Sequence, residues 1–171
     1  MATITIRPLT VEDAPYFAVE EGKQGWHTTP QKFLDRLRDA GEGKCVSLVA
    51  ELGGIPAGYV NVYHDSGFDW TPFAGCGYPE IVDFAVLEKF RGRGVGSALM
   101  DEAERIAGMY ADTVFLGVGL HAGYGSAQRM YVKRGYIPDG SGVWFRGKVC
   151  EPYTPCENDD DLVLYLSKKL R

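Results

Sequence analysis

The sequence predicts an α/β fold built on a mixed sheet, and three observations lead to that prediction. Strand-like and helix-like segments are interspersed along the chain and do not form separate blocks. Two apolar, β-branched runs flank Gly53-Gly54, which indicates an antiparallel hairpin. Near the middle of the chain, a strand, a glycine-rich turn, a helix and a further strand follow one another as one β-turn-helix-β unit.

The first half of the chain is predicted to run strand, helix, helix, strand, strand. Thr10-Val11-Glu12-Asp13 resembles a capping box with Asp in place of Glu, so a helix should continue from there to about Val19. Thr29 before Pro30 is typical of a helix start, and Gly41 should end that second helix. The strands of this half are predicted at Thr3–Arg7, Cys45–Leu52 and Ile55–His64.

The second half begins with a loop rich in glycine and aromatic residues, Asp65–Gly77. From Val95, apolar residues recur at helical spacing as far as Tyr110, which predicts an amphipathic helix of about four turns. A shorter helix is predicted over Ser126–Arg134, with Gly135 at its end. The strands are predicted at Tyr78–Leu87, Thr113–Leu120, Gly142–Phe145 and Leu162–Leu166.

Composition narrows the class of protein. The 171 residues are 45% hydrophobic and 24% charged, as in ordinary globular proteins, and no repeat or linker divides them, so one domain over residues 1–171 is expected. The net charge of −5 argues against nucleic acid as the main partner. No apolar run approaches the ~20 residues of a membrane helix, and no signal peptide is visible, so a cytoplasmic protein without a membrane partner is expected.

Metal, thiol and triad chemistry have little support in the sequence. The four cysteines lack a C-x-x-C pair, so reduced thiols and no metal site are expected. The three histidines are scattered, and roles on the surface or in the core are favoured over proton shuttling. These residues are Cys45, Cys76, Cys150, Cys156, His27, His64 and His121.

The turn Arg91–Gly96, with the helix it opens, is a candidate anion site. Glycines let the backbone approach a ligand closely, and the first amides of a helix have no partner within the helix. The helix dipole and two arginines add positive charge. A Walker loop would need a lysine, and the dinucleotide fingerprint fails because Ser97 stands where its third glycine belongs. A tight turn with surface arginines is the structural alternative.

At these residues the chain resembles the GNAT superfamily of acetyltransferases. The family's acyl-CoA signature, Q/R-x-x-G-x-G/A, is matched by Arg91-Gly92-Arg93-Gly94-Val95-Gly96. The preceding segment, Glu80–Val86, resembles the family's fourth strand. Further on, Ser126–Tyr136 resembles the family's A-x-x-x-Y-x-x-x-G-F/Y helix, with Tyr131 in register. The two signatures together cover roughly residues 78–137.

The resemblance implies a mostly antiparallel central sheet flanked by helices. The strands Tyr78–Val86 and Thr113–Leu120 would splay apart to hold acetyl-CoA as the cosubstrate. Backbone groups of the first strand would pair with the pantetheine arm, and amides of the turn would hold the pyrophosphate. Many family members place an asparagine seven residues before the helix tyrosine, where this chain has Tyr124. The cofactor-binding residues predicted in this way are Phe84, Ala85, Val86, Arg91, Gly92, Arg93, Gly94, Val95, Gly96, Ser97 and Tyr124.

Acetyl transfer to an amine needs a base and an acid. An alkylammonium has a pKa of ~10 and must lose a proton, whereas a thiolate leaves more easily when it gains one. Glu80 is the candidate base, because its spacing from the turn fits family members with a catalytic glutamate there, and alternation would place it on the face of Phe84 and Val86. Asp83 is the rival, although a carboxylate inside a strand calls for a partner. Tyr131 is the candidate acid by family analogy.

The acceptor side carries no assignable motif. The acidic run Glu157–Asp161 would suit a cationic acceptor, but a solvated turn is the favoured interpretation. Some of five aromatic residues are expected to line an acceptor pocket. These residues are Trp26, Trp70, Phe73, Trp144 and Tyr153.

Three functions remain open at this point. The first is an N-acetyltransferase that moves an acetyl group from acetyl-CoA to a primary amine by direct attack in a ternary complex. The acceptor would be a small molecule or a peptide, and a homodimer is left open because dimers are common in the family. The second is a non-catalytic CoA-binding sensor or interaction module, although such a module needs neither Glu80 nor Tyr131. The third is an unrelated nucleotide-binding α/β enzyme.

Overall fold

The computed structural model describes residues 2–65 and 69–171, and it confirms the predicted α/β class. In this described part, a mostly antiparallel eight-stranded sheet is flanked by four α-helices. The strands are β1 Ile4–Pro8, β2 Cys45–Leu52, β3 Ile55–Tyr63, β4 Glu80–Val86, β5 Thr113–Gly119, β6 Ile137–Phe145, β7 Lys148–Val149 and β8 Leu162–Lys169. The helices are α1 Asp13–Lys23, α2 Pro30–Gly41, α3 Val95–Ala107 and α4 Gly125–Lys133.

The chain forms two compact units. The first comprises Met1–His64 and Ile81–Ile106, with strands in the order β1-β2-β3-β4. The second comprises Asp65–Glu80 and Ala107–Arg171, with strands in the order β5-β8-β6-β7. The first residue of β4, Glu80, belongs to the second unit, where it pairs with Phe115 of β5 in parallel register. One domain over residues 1–171 stays a prediction.

The first unit is organised around the predicted hairpin. β2 and β3 pair antiparallel across Gly53-Gly54, and both glycines have left-handed φ angles, +62° and +81°. A cluster of aromatic rings packs beside this hairpin. Phe17 of α1 lies 5.5 Å from Phe33 of α2 and 4.9 Å from Tyr59 of β3, measured between ring centroids, and all three residues are buried. Amphipathic helices thereby cover part of this hairpin, whose strands are largely buried.

The start of α1 differs from the predicted capping box, because the helix begins only at Asp13. The amide of Thr10 donates to Asp13 Oδ2 at 2.8 Å, so the reciprocal half of the box is present. Arg7 also donates to both carboxylate oxygens, at 2.7 and 2.8 Å. Burial alone would raise the pKa of Asp13, but the Arg7 and Thr10 bonds outweigh it and lower that pKa. The helix then continues to Lys23, four residues beyond the prediction.

The second unit pairs its strands antiparallel. β5 pairs with β8 from Thr113↔Lys169 to Gly119↔Val163. β6 pairs with β8 on its other side, with a register shift between Pro138 and Val143. This shift explains why the sequence predicted β6 only from Gly142, since the glycine-containing irregularity hides the alternation before it.

Other predicted boundaries shift by a few residues. α3 ends at Ala107 and not near Tyr110, which is exposed and whose amide closes a turn on the Ala107 carbonyl. β4 begins at Glu80, two residues after the predicted Tyr78. Residues 66–68 of the predicted loop lie outside the described residues. α2 begins and ends where Pro30 and Gly41 predicted it.

Gly58 of β3 offers a test of how β4 is held. A Cβ at this residue would lie 2.6 Å from the Ala85 carbonyl oxygen of β4 and 3.2 Å from Leu99 of α3. We expect Gly58→Ala to lower the free energy of unfolding by about 1–3 kcal/mol, because backbone must move to admit the methyl group. Urea denaturation measures this change.

Gly41→Ala is the matched control for this test. A Cβ at Gly41 meets nothing within 4 Å, and its φ lies outside the left-handed region. The free energy of unfolding of the Gly41→Ala variant should stay within about 0.5 kcal/mol of the wild-type value. An equally small effect of Gly58→Ala would contradict the close approach of β3 and β4.

Candidate active site

The turn Arg91–Gly96 lies in the first unit, between β4 and α3. Gly92 and Gly94 have φ angles of +71° and +86°, a conformation that other residues rarely adopt. The first bond within α3 runs from the Ala98 amide to the Gly94 carbonyl, at 3.0 Å. The amides of Val95–Ser97 therefore precede the helical ladder. No acidic residue occupies the first helical turn, so the local field favours an anion.

Arg91 connects this turn to the end of β4 by a hydrogen bond. Its Nε donates to the Val86 carbonyl at 3.2 Å, and its Nη1 lies 3.6 Å from Glu88 Oε1. Its guanidinium also lies 5.8 Å from the centre of the Trp26 ring. Trp26 therefore lies beside this turn. Arg93 is exposed next to it.

β4 departs from regular strand geometry at Asp83, whose φ is +52°. A left-handed residue inside a strand is typical of a bulge and interrupts the alternation of faces. Alternation along β4 therefore no longer supports placing Glu80 on the face of Phe84 and Val86, and that placement stays a prediction. Residues 84–86 are half-buried, and the Leu87 amide after them donates to the Ala57 carbonyl of β3 at 2.9 Å.

Asp83 has the partner that a carboxylate inside a strand requires. Arg36 of α2 donates to Asp83 Oδ2 from Nε at 2.8 Å, and its Nη2 lies 2.7 Å from the same oxygen. An oxygen that already accepts two N–H groups is poorly placed to take a proton from a substrate. This contact weakens the case for Asp83 as the base.

Glu80 lies in the second unit and is only 9% exposed. The strand register shows what it faces. Glu80 is opposite Phe115, Gly117 follows Phe115 on the same side of β5, and Gly117 is opposite Tyr165 of β8. A Cβ at Gly117 would lie 3.2 Å from the Tyr165 ring, so the glycine makes room for that ring. Glu80 and Tyr165 therefore share one face of the sheet.

Tyr165 is the residue of this group that the sequence did not reveal. Burial, together with the negative charges of Glu80 and Asp139, raises the pKa of Tyr165 to about 12. Its hydroxyl therefore keeps its proton at neutral pH. In the sequence, the Tyr165 hydroxyl is the one polar side-chain group in the apolar run Leu162–Leu166, and this is only a weak signal of a functional residue.

Aromatic side chains gather around Tyr165. Its ring lies 5.5 Å from that of Trp144, in an edge-to-face arrangement, and 6.3 Å from that of Phe115. The ring centroids of Phe73 and Phe115 lie 4.7 Å apart. The Tyr165 hydroxyl donates a hydrogen bond to the backbone carbonyl of Trp70 at 3.4 Å. Trp70, Phe73 and Trp144, three of the aromatics suggested for the acceptor side, thus meet in the second unit. Tyr153 is fully exposed. We call Glu80, Phe73, Phe115, Trp144 and Tyr165 the Glu80 cluster.

Tyr131 lies on α4, also in the second unit, and is 5% exposed. α4 is attached to the end of β5 by Gln128, whose Nε2 donates to the Gly119 carbonyl at 2.8 Å. Burial, and to a smaller extent the neighbouring Tyr124, raises the pKa of Tyr131 above its usual range. Tyr131 is therefore a neutral phenol that can donate a hydrogen bond throughout the physiological pH range.

Tyr124 is held by the acidic run. Its hydroxyl donates to Asp160 Oδ1 at 2.9 Å, and His121 Nε2 lies 3.0 Å from the same oxygen. These contacts lower the pKa of Asp160. A Cβ at Gly119 would overlap the Tyr124 ring, so the glycine admits it. The predicted role of Tyr124 in cofactor binding stays a prediction.

The rest of the acidic run is exposed but paired. Arg146 Nη2 lies 3.0 Å from Glu157 and 3.7 Å from Asp159, and its Nε lies 3.6 Å from Asp161. The solvated-turn interpretation therefore fits better than a site reserved for a cationic acceptor.

In residues 2–65 and 69–171, no group of three or more His, Cys, Asp or Glu side chains is arranged to hold a metal ion. All four cysteines are free thiols. Within the same residues, no helix is long and apolar enough to cross a membrane.

Comparison with known proteins identifies the family. The model of the acetyltransferase (GNAT) family matches residues 8–136, which is more than half of the chain. The chain therefore belongs to the GNAT acetyltransferases, and the resemblance seen in its signatures is confirmed. It is an acyltransferase of a family that uses acetyl-CoA. Among curated proteins, no sequence matches the chain significantly.

Solved structures share this fold. An Ard1 from Thermoplasma volcanium is 23% identical, with a TM-score of 0.69 over 97% of each chain. A ribosomal-protein-alanine N-acetyltransferase from Brucella melitensis is 18% identical, with a TM-score of 0.67 over 96% of this chain and 99% of its own. YncA from Salmonella typhimurium, solved with its cofactor acetyl-CoA, is 16% identical, with a TM-score of 0.67 over 98% of this chain and 94% of its own.

The raised pKa of Tyr165 predicts a loss of stability at alkaline pH. Above pH ~10 the unfolded chain releases the phenol proton while the folded protein retains it, so the free energy of unfolding falls as pH rises from ~10 to about 12. We expect Tyr165→Phe to remove at most about 2–3 kcal/mol of this decline. Urea denaturation at pH 8, 10 and 11.5 measures it.

Tyr153→Phe is the control, because Tyr153 is fully exposed. The free energy of unfolding of the Tyr153→Phe variant should change with pH in the same way as that of the wild type. If Tyr165→Phe declines as steeply as wild type, the environment described for Tyr165 is incorrect.

Proposed function

We propose that the protein transfers the acetyl group of acetyl-CoA to a primary amine by direct attack in a ternary complex. The proposal rests mainly on the residues of β4 and of the turn that follows it. This segment starts with the buried carboxylate of Glu80 and leads into the glycine turn that opens α3. Acetyl transfer from a phosphorylated carrier requires a base for the amine and a site for the phosphates. This one segment offers a candidate for each.

The residues of the turn fit the pyrophosphate of acetyl-CoA. The left-handed φ angles of Gly92 and Gly94 let the backbone curve around an anion, and the amides of Val95–Ser97 precede the helical ladder. Arg91 and Arg93 would add charge at the rim, and Phe84–Val86 would offer backbone groups to the pantetheine arm. Acetyl-CoA, when bound, supplies the activated thioester.

Glu80 would act as the general base. The acceptor arrives mostly as an alkylammonium with a pKa of ~10, and its attack requires removal of a proton. A buried carboxylate attracts that cation more strongly than one in water, because the local dielectric is low. The rings of the Glu80 cluster would contribute cation–π attraction to the same ammonium.

Tyr131 would assist departure of the CoA sulfur. Its raised pKa means that full proton transfer to a thiolate with a pKa of ~8.5 is uphill. Tyr131 would therefore act mainly by donating a hydrogen bond as negative charge develops on sulfur, with the proton following as the charge builds. Its burial supports this role, because a hydrogen bond to charge is stronger away from water.

Thiol release from acetyl-CoA tests the proposal across a panel of amines. The panel should contain amino acids, polyamines, aminoglycosides and peptide N-termini. Peptides beginning with alanine belong in it, because one structural relative is named a ribosomal-protein-alanine N-acetyltransferase. Amine-dependent release of CoA is the expected result. Tight CoA binding with no release for any amine would instead support a non-catalytic binding module.

Glu80→Gln should lower kcat by roughly 10²-fold or more and remove the acid limb of the pH–rate profile, because the amide cannot accept the proton. Glu151→Gln, an exposed carboxylate of the same unit, should leave both unchanged. Asp83→Asn, which tests the rival base, should retain the acid limb. Full turnover by Glu80→Gln at every pH would rule out the assignment.

Tyr131→Phe should lower kcat by about 10-fold or more with little change in the Kd of acetyl-CoA, because the lost hydrogen bond forms only as the sulfur departs. Tyr136→Phe is the matched control, since Tyr136 is buried 5.8 Å from Tyr131 between ring centroids. Stopped-flow kinetics with isothermal calorimetry separates the two parameters. An unchanged kcat in Tyr131→Phe would eliminate this role.

A further inference from the structure

The left-handed backbone of Asp83 is the most unusual feature of the strand proposed to carry the cofactor. Besides Asp83, only Arg146 and Tyr153 among non-glycine residues of the described chain have a positive φ, and both lie outside regular strands. Asparagine and aspartate tolerate this region better than most residues, but a strand interior does not favour it. Something in the structure must therefore hold Asp83 there.

Arg36 makes that contact from α2. Its Nε and Nη2 both converge on Asp83 Oδ2, at 2.8 and 2.7 Å. Both side chains are about three-quarters buried, since each is 24% exposed, so solvent screens the pair only partly. Burial alone would lower the pKa of Arg36, but the charge and hydrogen bond of Asp83, together with Tyr63, outweigh it and raise that pKa.

A second layer fixes Arg36 itself. Its Nη1 donates to the Tyr63 hydroxyl at 2.5 Å, and that hydroxyl donates to Asp39 Oδ2 at 2.5 Å. Arg36 also lies over the Tyr63 ring, 5.3 Å from its centre. The guanidinium is therefore held by a helix and a strand before it reaches β4, and few of its rotamers remain available.

A further bond anchors β4 just before the left-handed residue. The side chain of Asn61, which is 3% exposed, donates from Nδ2 to the Val82 carbonyl at 3.3 Å. Asn61 lies between Tyr59 and Tyr63 on β3, and all three side chains share one face of the strand. Asn61 fixes the backbone before the bend, and Arg36 fixes the side chain at the bend.

We propose that Arg36 is a positioning residue: its clamp on Asp83 holds the left-handed bend that sets the direction of Phe84–Val86 for the pantetheine arm of acetyl-CoA. This inference rests on the proposed function, since it assigns cofactor binding to those residues. Arg36 acts through the backbone of β4 and contacts neither reacting atom. The carboxylate of Asp83 serves as the attachment point for the clamp and has no role in proton transfer.

The first experiment distinguishes the effect of the left-handed backbone at Asp83 from the effect of its charge. Asp83→Gly and Asp83→Ala both remove the carboxylate, but only glycine adopts a φ of +52° without penalty. Calorimetric titration with acetyl-CoA should give a Kd for Asp83→Ala at least about 5-fold weaker than for Asp83→Gly. Equal Kd values for the two variants would overturn the proposal, because the charge alone would then matter.

The second experiment tests Arg36 by rescue. Arg36→Met should weaken acetyl-CoA binding about 5-fold or more, and the double variant Arg36→Met with Asp83→Gly should return to within about 2-fold of Asp83→Gly alone. Arg38→Met is the matched control, since Arg38 is on the same helix and pairs with Asp35 at 2.9 Å. Unaltered binding by Arg36→Met, or a double variant as weak as Arg36→Met, would overturn the proposal.

The outcomes for this inference and for the proposed function are distinct. Wild-type protein that fails to bind acetyl-CoA refutes the proposed function before any variant is compared. Wild-type binding together with the absence of a difference between Asp83→Ala and Asp83→Gly refutes only the clamp. If Arg36→Met does not fold, as its melting curve would show, the two Asp83 variants still decide the question.

Discussion

The close approach of β3 and β4 at Gly58 is the constraint on which the course of β4 and of the turn after it depends. No side chain can stand between Gly58 and the Ala85 carbonyl, so the two backbones meet directly. This contact fixes the far end of β4, and Asn61 fixes the stretch before Asp83. The strand must then bend between two fixed points, which a left-handed residue achieves within a single position.

Polar side chains inside the protein pair with one another, and this pairing gives several charged residues a defined role. Asp13 is buried but satisfied by Arg7 and by the amide of Thr10, so it stabilises the junction of β1 and α1. At the surface, the exposed Asp160 likewise takes two donors from the turn before α4. Glu80 is 9% exposed and shares one face of the sheet with Tyr165, whose pKa its charge helps to raise. Such an environment suits a group that must exchange a proton.

Local chemistry explains which features could be predicted from sequence. Gly53-Gly54 and Pro30 act on the backbone within a few residues, so the hairpin and the start of α2 were predicted correctly. The GNAT signatures could also be recognised, because they consist of specific residues at fixed spacing. The bend at Asp83 could not be predicted, because it is held by Arg36, 47 positions away, and by the contacts of β3 with β4 described above. Tyr165 was missed for a similar reason: its neighbours come from β4, β5 and β6 through strand register.

The most direct test of the central claim, that β4 and the following turn bind acetyl-CoA through backbone groups, is amide hydrogen exchange with and without acetyl-CoA. If these backbone groups bind the cosubstrate, it should slow exchange in two stretches, Phe84–Val86 and Gly92–Ser97, and leave the distant β1–β2 pair unaffected. Unchanged exchange in both stretches at saturating acetyl-CoA would contradict the claim.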